Sequence, residues 1–436
     1  MLVAKNERGQ LVRASDAQRT RGYRCPECDA PLVLRQGSRV PHFAHRPKQG
    51  CQLAQGESEL HLLGKETLWW WAKQRGWNPQ LEVPFDQIEQ RADVLVTIQN
   101  HPVALEFQCS PLSARRLAER TQGYQQVGVA VRWLLGPTYQ KRLLHREIQA
   151  RFTQLVNNRP SLTFWEPHRA QLDYLQPIYQ GQVGNGRWWA QVGVETVDLH
   201  RHASLRDGLV RQAYQAGHQV AACPLVAHGR REWWPLTFER PVRWRLMILL
   251  ALEQLPLGKS WPPLGWQAWL ATQTKWLPLP ALTPVQRQAL RMHHLNELTA
   301  DLLQAGIITI RGEEYRYVRL PQWFDDFDQK LAFVRQQEGI YKKEWPINYL
   351  VIRHVVSGHV CCLTFGYEAK QKRPYPKMNK VAMVVCMNKT LKYLLSPILS
   401  TITGTRTRGP LWRSNFFTLL TYHDYPIFKS FLSSTG

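Results

Sequence analysis

The chain has 436 residues, and its 56 Lys and Arg against 33 Asp and Glu give a formal net charge of +23. This length allows two or three domains with a substantial core. The basic excess favours a polyanionic partner, either nucleic acid or an anionic membrane surface. No apolar run reaches the ~18 residues of a membrane-spanning helix, and the N-terminus lacks the apolar core of an export signal. The sequence therefore predicts a cytoplasmic protein.

A cysteine and histidine motif lies near the N-terminus. Cys25 and Cys28 form a CxxC pair, and His42 and His45 follow after 13 intervening residues. In a long cytosolic chain this spacing favours a structural zinc site over disulfides. Cys51 is an alternative fourth ligand, and free thiols beside histidines on an irregular loop are the other interpretation. We predict structural Zn²⁺ bound by Cys25, Cys28, His42 and His45.

Residues 57–76 have the pattern of a helix that stops at Gly76. Glu57, His61 and Lys65 are spaced four residues apart, so they share one helix face. This face is either a solvated ladder of polar side chains or part of a site. In a site it would supply a metal ligand, a proton-transfer group and a phosphate clamp.

Two β-branched, apolar segments, residues 91–98 and 103–109, predict a hairpin with a polar turn. Asp93 lies on the first strand. Glu106 and Gln108 lie on the second, two residues apart and therefore on one face. Two carboxylates and an amide oxygen would suit a hard cation such as Mg²⁺ or Mn²⁺. Ordinary solvated edge residues are the alternative.

A helix over residues 113–123, with Ser113 as its N-cap, is predicted after the hairpin. Arg116 and Arg120 lie one turn apart on it and form a basic face suited to DNA. A further strand is predicted at 128–136. The order of helix, two strands, helix and strand predicts an α/β core with a mixed sheet.

These motifs together resemble the competence protein CoiA family. The resemblance rests on Cys25-Pro-Glu-Cys28, His42-Phe-Ala-His45, Glu57 to Lys65, Arg91-Ala-Asp93 and Glu106-Phe-Gln108-Cys-Ser, and it covers residues 1–140 well. It implies a restriction-endonuclease-like core of the PD-(D/E)xK type behind a zinc-finger-like segment. It also implies a role in natural transformation, in which incoming single-stranded DNA is processed or recombined.

The resemblance assigns Asp93 and Glu106 to the metal-binding acids of the nuclease core. Gln108 stands where many such nucleases have lysine, and an amide cannot activate the attacking water by charge. Lys65 on the preceding helix would supply the missing cation from another direction.

The rest of the chain predicts a mainly helical region followed by a basic segment. The expected domains are 1–56 (zinc-finger-like), 57–150 (nuclease-like), 151–340 (helical or mixed) and 341–436 (basic). Trp233, Trp234 and Trp244 lie near arginines and could stack bases, but we expect their rings to pack partly in the core. His293 and His294 are predicted to be surface residues. From residue 341 there are 14 Lys or Arg and only three acids, which suits either a nucleic-acid-binding extension or a poorly folded tail.

Three functions remain open at this stage. The first is a metal-dependent deoxyribonuclease-like protein acting on single-stranded DNA. The second is a DNA-binding factor without catalysis that hands strands to recombination proteins. The third is a zinc-stabilised adaptor for other proteins.

Overall fold

A computed structural model describes residues 1–37, 40–46, 51, 57–140, 145–176, 184–230 and 234–344, together with the backbone of three later strands. The chain divides into two compact units. The first comprises Met1–Leu155 and Arg159–Tyr341, and the second comprises Val156–Asn158 and Lys342–Gly436. The finer division into four domains stays a prediction.

A five-stranded antiparallel sheet forms the N-terminal segment, in the order β2-β1-β3-β4-β5. Gly9, with φ of +75°, makes the turn between β1 and β2, a conformation that glycine adopts without steric cost. Ala4 and Phe43 are buried at its centre. The strands are β1 (Val3–Lys5), β2 (Leu11–Arg13), β3 (Tyr23–Arg24), β4 (Pro31–Arg35) and β5 (His42–His45).

A seven-stranded mixed sheet follows, as predicted. Its order is β10-β11-β9-β8-β7-β6, with β12 paired to β11. The β8–β9 and β9–β11 pairs are parallel, and β6–β7 and β7–β8 are antiparallel. The strands are β6 (Gln80–Phe85), β7 (Gln90–Ile98), β8 (His101–Gln108), β9 (Ala130–Leu135), β10 (Gln154–Val156), β11 (Arg159–Glu166) and β12 (Gln171–Leu175).

The hairpin of β7 and β8 has a two-residue turn. Gln99 and Asn100 both have positive φ, +48° and +65°, which matches the twist of the flanking strands. The paired residues run from Ile98 opposite His101 to Val94 opposite Leu105. Asp93 and Glu106 follow directly after the last of these pairs.

Helices α1 (Glu59–Gln74) and α2 (Ala114–Gln126) pack on the sheet. Each begins at a serine N-cap, Ser58 and Ser113, whose hydroxyl accepts the backbone N–H three residues later. Gly64 lets α1 approach β8 closely, because a Cβ there would lie 1.9 Å from the Phe107 ring. The helices therefore bring their polar residues next to the hairpin acids.

The remainder of the first unit is mainly helical, as expected. Trp244, Trp266 and Leu298 are buried in its core. A small sheet of three strands, in the order β13-β15-β14, completes it. The elements are α3 (Pro137–Gln140), α4 (Arg146–Arg151), α5 (Asn185–Arg201), α6 (Gly208–Gln215), α7 (Pro241–Glu253), β13 (Ser260–Trp261), α8 (Pro263–Thr272), α9 (Pro284–Gln304), β14 (Ile308–Arg311), β15 (Glu314–Tyr317) and α10 (Phe327–Glu344).

Two expectations for this region have different outcomes. Trp234 and Trp244 are core residues, whereas Trp233 lies outside the described residues. The prediction that His294 lies on the surface is wrong, because its ring is buried and stacks on Trp244 at 4.4 Å between centroids. His293 is exposed, as predicted.

The second unit contains an antiparallel sheet of β16 (Asn348–Val356), β17 (His359–Tyr367) and β18 (Val381–Val384). Most of the basic segment lies outside the described residues, so its two interpretations both stay predictions. In the part of the chain that the structure describes, no helix has the length and apolarity needed to cross a bilayer.

Candidate active site and metal cluster

Asp93 lies on β7 and binds partners from two other elements. Its Oδ2 accepts the Phe107 backbone N–H of β8 at 2.9 Å and lies 3.2 Å from His61 Nε2 on α1. Burial alone would raise the pKa of Asp93, but the charge and hydrogen bond of His61 hold it well below its usual range. Burial opposes protonation of His61, and the Asp93 carboxylate raises the pKa of the imidazole. The two side chains therefore form a half-buried ion pair in which His61 can hold a proton.

Glu106 lies on β8 and is 1% exposed. Its Oε2 accepts a hydrogen bond from the Arg120 guanidinium at 2.5 Å, and its Oε1 accepts one from the Tyr124 hydroxyl. Burial raises the pKa of Glu106 to about 7, against the lowering effect of Arg120, and the charge of Asp93 adds to the rise. The acid is therefore poised to exchange a proton near neutral pH.

Lys65 is fully buried and does not lie free beside the hairpin acids. Its Nζ is 2.7 and 2.8 Å from the two carboxylate oxygens of Glu57 and 2.5 Å from Glu82 Oε1. Burial would lower the pKa of Lys65, but these two carboxylates raise it above its ordinary value. The lysine is a fixed cation whose charge is already neutralised, which argues against the predicted phosphate clamp.

Glu82 is a residue that the sequence interpretation missed. It lies on β6 with φ of +54°, and its Oε2 accepts the backbone N–H groups of Leu2 and Val3 at 2.9 and 3.1 Å. Burial would raise the pKa of Glu82, yet the Lys65 charge lowers it to about 2. The only sequence clue was an acid between the apolar residues Leu81 and Val83 in a short strand.

Glu57 and Arg91 connect the N-terminal sheet to this network. Glu57 lies 3.5 Å from the Met1 amino group and 3.7 Å from Arg91. Arg91 also donates to Glu27, between the two cysteines of the CxxC pair, at 2.9 Å. The N-terminal segment and the site residues thus share one set of charged contacts.

Gln108 and the two predicted DNA-binding arginines lie in different surroundings. Gln108 Nε2 donates to the backbone oxygen of Ser110 at 2.6 Å. Arg116 is exposed and pairs with Glu119 at 3.4 Å. Arg120 points inward to Glu106 and is mostly buried, so the two arginines do not share one exposed surface, and their DNA-binding role stays a prediction. The physical reason for the inward position of Arg120 is that the buried Glu106 carboxylate needs a counter-charge.

A cluster of four candidate metal ligands lies in the N-terminal segment. The ligand atoms of Cys25, Cys28, His45 and Cys51 all lie within 4.8 Å of one another. Cys28 Sγ is 3.4 Å from His45 Nε2. Three thiols and one imidazole are a donor set typical of structural zinc, so the residues fit the predicted zinc ion.

The predicted ligand His42 is not in this cluster. Its Nδ1 lies 3.0 Å from the Val40 backbone oxygen, and Cys51 is the fourth member. His42 and His45 are three residues apart on β5, and residues at odd spacing on a strand point to opposite faces. Only one of them can face the CxxC pair, and it is His45.

The hairpin acids fit a divalent cation only in part. Carboxylates suit Mg²⁺, but both Glu106 oxygens already accept hydrogen bonds from Arg120 and Tyr124. Within the described ranges, Asp93 and Glu106 belong to no group of three or more His, Cys, Asp or Glu ligands. A cation would bind there only after Arg120 or Tyr124 released Glu106.

Comparisons with known proteins bear on these two sites. Residues 57–192 match the family model "Competence protein CoiA, nuclease-like domain", and residues 7–54 match "Competence protein CoiA, N-terminal domain". A curated relative, "Competence protein CoiA" of Bacillus subtilis (strain 168), is 30% identical over 190 residues. That match covers 42% of this chain and 49% of the relative. No solved structure matches the chain significantly.

The two matched regions coincide with the segment that holds the Cys/His cluster and with the mixed sheet that holds Asp93 and Glu106. Both family models and the curated relative carry the same description, competence protein CoiA. Residues 7–54 and 57–192 of this chain are therefore similar to the N-terminal and nuclease-like domains of the competence protein CoiA family.

Proposed function

We propose that this protein acts on DNA during natural transformation, in the cytoplasm, as a nuclease-like factor that processes incoming single strands for recombination. The observation that supports it most is the meeting of Asp93, His61 and Glu106 inside the region that matches a nuclease-like domain. The matched part spans about half of the curated relative. Cleavage, strand preference and recombination partners therefore all belong to the proposal.

The site residues have protonation states that suit phosphodiester cleavage. Asp93 is ionised and fixed by the Phe107 N–H. His61, with its raised pKa, can donate a proton to a leaving oxygen. Glu106, with a pKa of about 7, can accept one. A bound Mg²⁺ or Mn²⁺ would neutralise charge on the phosphate and activate water, and Asp93 and Glu106 would hold it once Arg120 or Tyr124 had released Glu106.

The test is cleavage of end-labelled single- and double-stranded DNA with Mg²⁺ or Mn²⁺ against a chelator. We expect metal-dependent cutting that falls at least about 100-fold in Asp93→Asn and Glu106→Gln, the scale of a lost acid or base. Glu119→Gln is the matched control, because Glu119 is an exposed acid on α2 that pairs only with Arg115 and Arg116 in the contacts described. Cutting that persists in both site variants would refute the assignment.

A second candidate function is DNA binding without cleavage. The observation that favours it is that each cation at the site is already paired, Arg120 with Glu106 and Lys65 with Glu57 and Glu82, while Gln108 is uncharged. On this hypothesis the fold holds a single strand and passes it on. Binding by the wild type with no cutting under any metal condition would support this candidate over the first.

A further inference from the structure

A second cluster of titratable side chains lies beyond the residues matched by the family models. Lys330 Nζ of α10 lies 3.1 Å from Cys223 Sγ and 3.0 Å from His228 Nε2. Glu195 Oε2 of α5 lies 2.6 Å from His228 Nδ1. Four side chains from three segments thus form one connected chain of thiol, ammonium, imidazole and carboxylate.

The cluster is buried and charged. Cys223 and Lys330 are both 0% exposed. No carboxylate forms an ion pair with Lys330 in the part of the chain that the structure describes, so a Cys223 thiolate is its natural counter-charge. Burial alone would raise the pKa of Cys223, but Lys330 and His228 lower it to about 7. A thiolate is the form of cysteine that reacts with oxidants.

Burial also limits what can react there. A peptide or nucleotide could not reach Cys223 without displacing α10, whereas a molecule of the size of water can enter through local fluctuations. The geometry therefore favours a small oxidant over a hydrolytic substrate. We propose that Cys223 and Lys330 form an oxidation site at which hydrogen peroxide joins the sulfur to the lysine nitrogen as a sulfenamide.

The chemistry balances in two steps. The Cys223 thiolate attacks one peroxide oxygen, so an S–O bond forms, the O–O bond breaks and hydroxide leaves. The hydroxide takes a proton from the Lys330 ammonium, relayed by His228, and becomes water. The free amine then attacks the sulfenic acid, so that S–N forms, S–O breaks and a second water leaves. Sulfur loses two electrons, and the peroxide is reduced to two waters.

Each side chain of the cluster has a role in these two reaction steps. His228 Nε2 faces the Lys330 nitrogen and accepts its proton, and Glu195 on Nδ1 stabilises the resulting imidazolium. Lys330 first stabilises the thiolate and then becomes the nucleophile. The product would tie α10 to the segment after residue 222 across 107 positions of sequence.

The test uses the full-length protein treated with hydrogen peroxide, blocked with a thiol reagent, digested with trypsin and analysed by mass spectrometry. We expect the peptides of Cys223 and Lys330 to be joined, with two hydrogen atoms fewer than their sum, and dithiothreitol to separate them. Cys109 is the internal control, because burial raises its pKa to about 12 and its thiol should stay reduced.

Two variants separate the steps. Lys330→Arg keeps a cation beside the thiolate, so a sulfenic acid that dimedone traps should replace the link. Glu195→Gln, at a partly exposed position, should shift the product from the link toward sulfenic acid relative to the wild type. Any of three outcomes would overturn the proposal. Cys223 could be oxidised only to sulfinic acid, the link could retain an oxygen atom, or Cys223 could stay unmodified after Cys28 has reacted.

Discussion

At the scale of single residues, Lys65 is the cation that neutralises the carboxylates of Glu57 and Glu82. Lys65→Met would remove the counter-charge that lies nearest to both Glu57 and Glu82, leaving only the more distant Met1 amino group and Arg91 near Glu57. Breaking a buried ion pair from one side costs about 3–5 kcal/mol, so we expect a large fall in the urea midpoint of unfolding. The exposed pair of Arg115 and Glu119 is the control, and Arg115→Ala should leave the urea midpoint close to that of the wild type.

The double variant Lys65→Met with Glu82→Gln adds a sharper comparison. It removes one of the two stranded charges, so it should be more stable than Lys65→Met alone. If Lys65→Met unfolds at the wild-type midpoint yet abolishes DNA cleavage, Lys65 acts in catalysis and the structural role argued above is wrong.

His294 makes stability depend on pH. Burial, with help from Arg245 and His293, lowers its pKa to about 3, whereas an unfolded histidine titrates near 6.5. Between these values the unfolded chain binds a proton that the folded chain does not, so acid favours unfolding by up to about tenfold per pH unit. This contribution is complete above about pH 6.5 and is lost as the pH falls.

The measurement is the thermal midpoint of the wild type and of His294→Gln at several values between pH 4 and 7. We expect the wild type to lose stability toward acid more steeply than the variant. Parallel curves for the two proteins would show that His294 does not contribute.

At the scale of elements, the packing of α1 on β8 depends on Gly64. A methyl group at Gly64 would lie 1.9 Å from the Phe107 ring, and the Phe107 backbone N–H holds Asp93. We expect Gly64→Ala to destabilise the fold by about 1–3 kcal/mol through overpacking and to impair the site. Gly339→Ala is the matched control, because a Cβ there meets no atom within 4 Å and alanine favours a helix.

The positions of His42 and His45 on strand β5 lead to a prediction about the zinc content of the protein. If Cys25, Cys28, His45 and Cys51 bind zinc, protein purified from zinc-containing medium should hold one ion per chain. Cys51→Ser should lower that content strongly, and His42→Ala should leave it unchanged because His42 faces away. Elemental analysis decides the matter, and the opposite pattern would restore His42 as the ligand.

At the scale of the whole molecule, the charge of +23 should govern DNA affinity. Contacts to phosphates release counterions, so the logarithm of the binding constant falls steeply with the logarithm of salt concentration. Anisotropy of a labelled single strand between about 50 and 200 mM salt measures the slope. A flat response would favour the adaptor function over both DNA-acting ones.

Local features of the fold could be predicted because they depend on neighbours in sequence. The hairpin of β7 and β8, the serine caps of α1 and α2 and the mixed sheet all follow from periodicity and turn chemistry. On α1, periodicity predicts a buried stripe of Leu60, Leu63, Thr67 and Trp71. Only Trp71 of these is buried, while Leu62, Lys65, Leu68 and Ala72 are buried and Leu60, Leu63 and Thr67 are half-buried. A lysine at the centre of that face is not an apolar residue, and periodicity places it outside the core.

The partners of the charged residues required the tertiary structure. Nothing in sequence spacing connects Lys65 to Glu82, Glu106 to Arg120 or Cys223 to Lys330, since each pair is brought together from separate elements. The sequence by itself determined the basic charge, the Cys/His motif and the acids of the hairpin. Only the fold decided which cation neutralises which acid and which histidine faces the thiols. The reason is that a buried charge without a partner costs free energy, and packing sets which partner lies within reach.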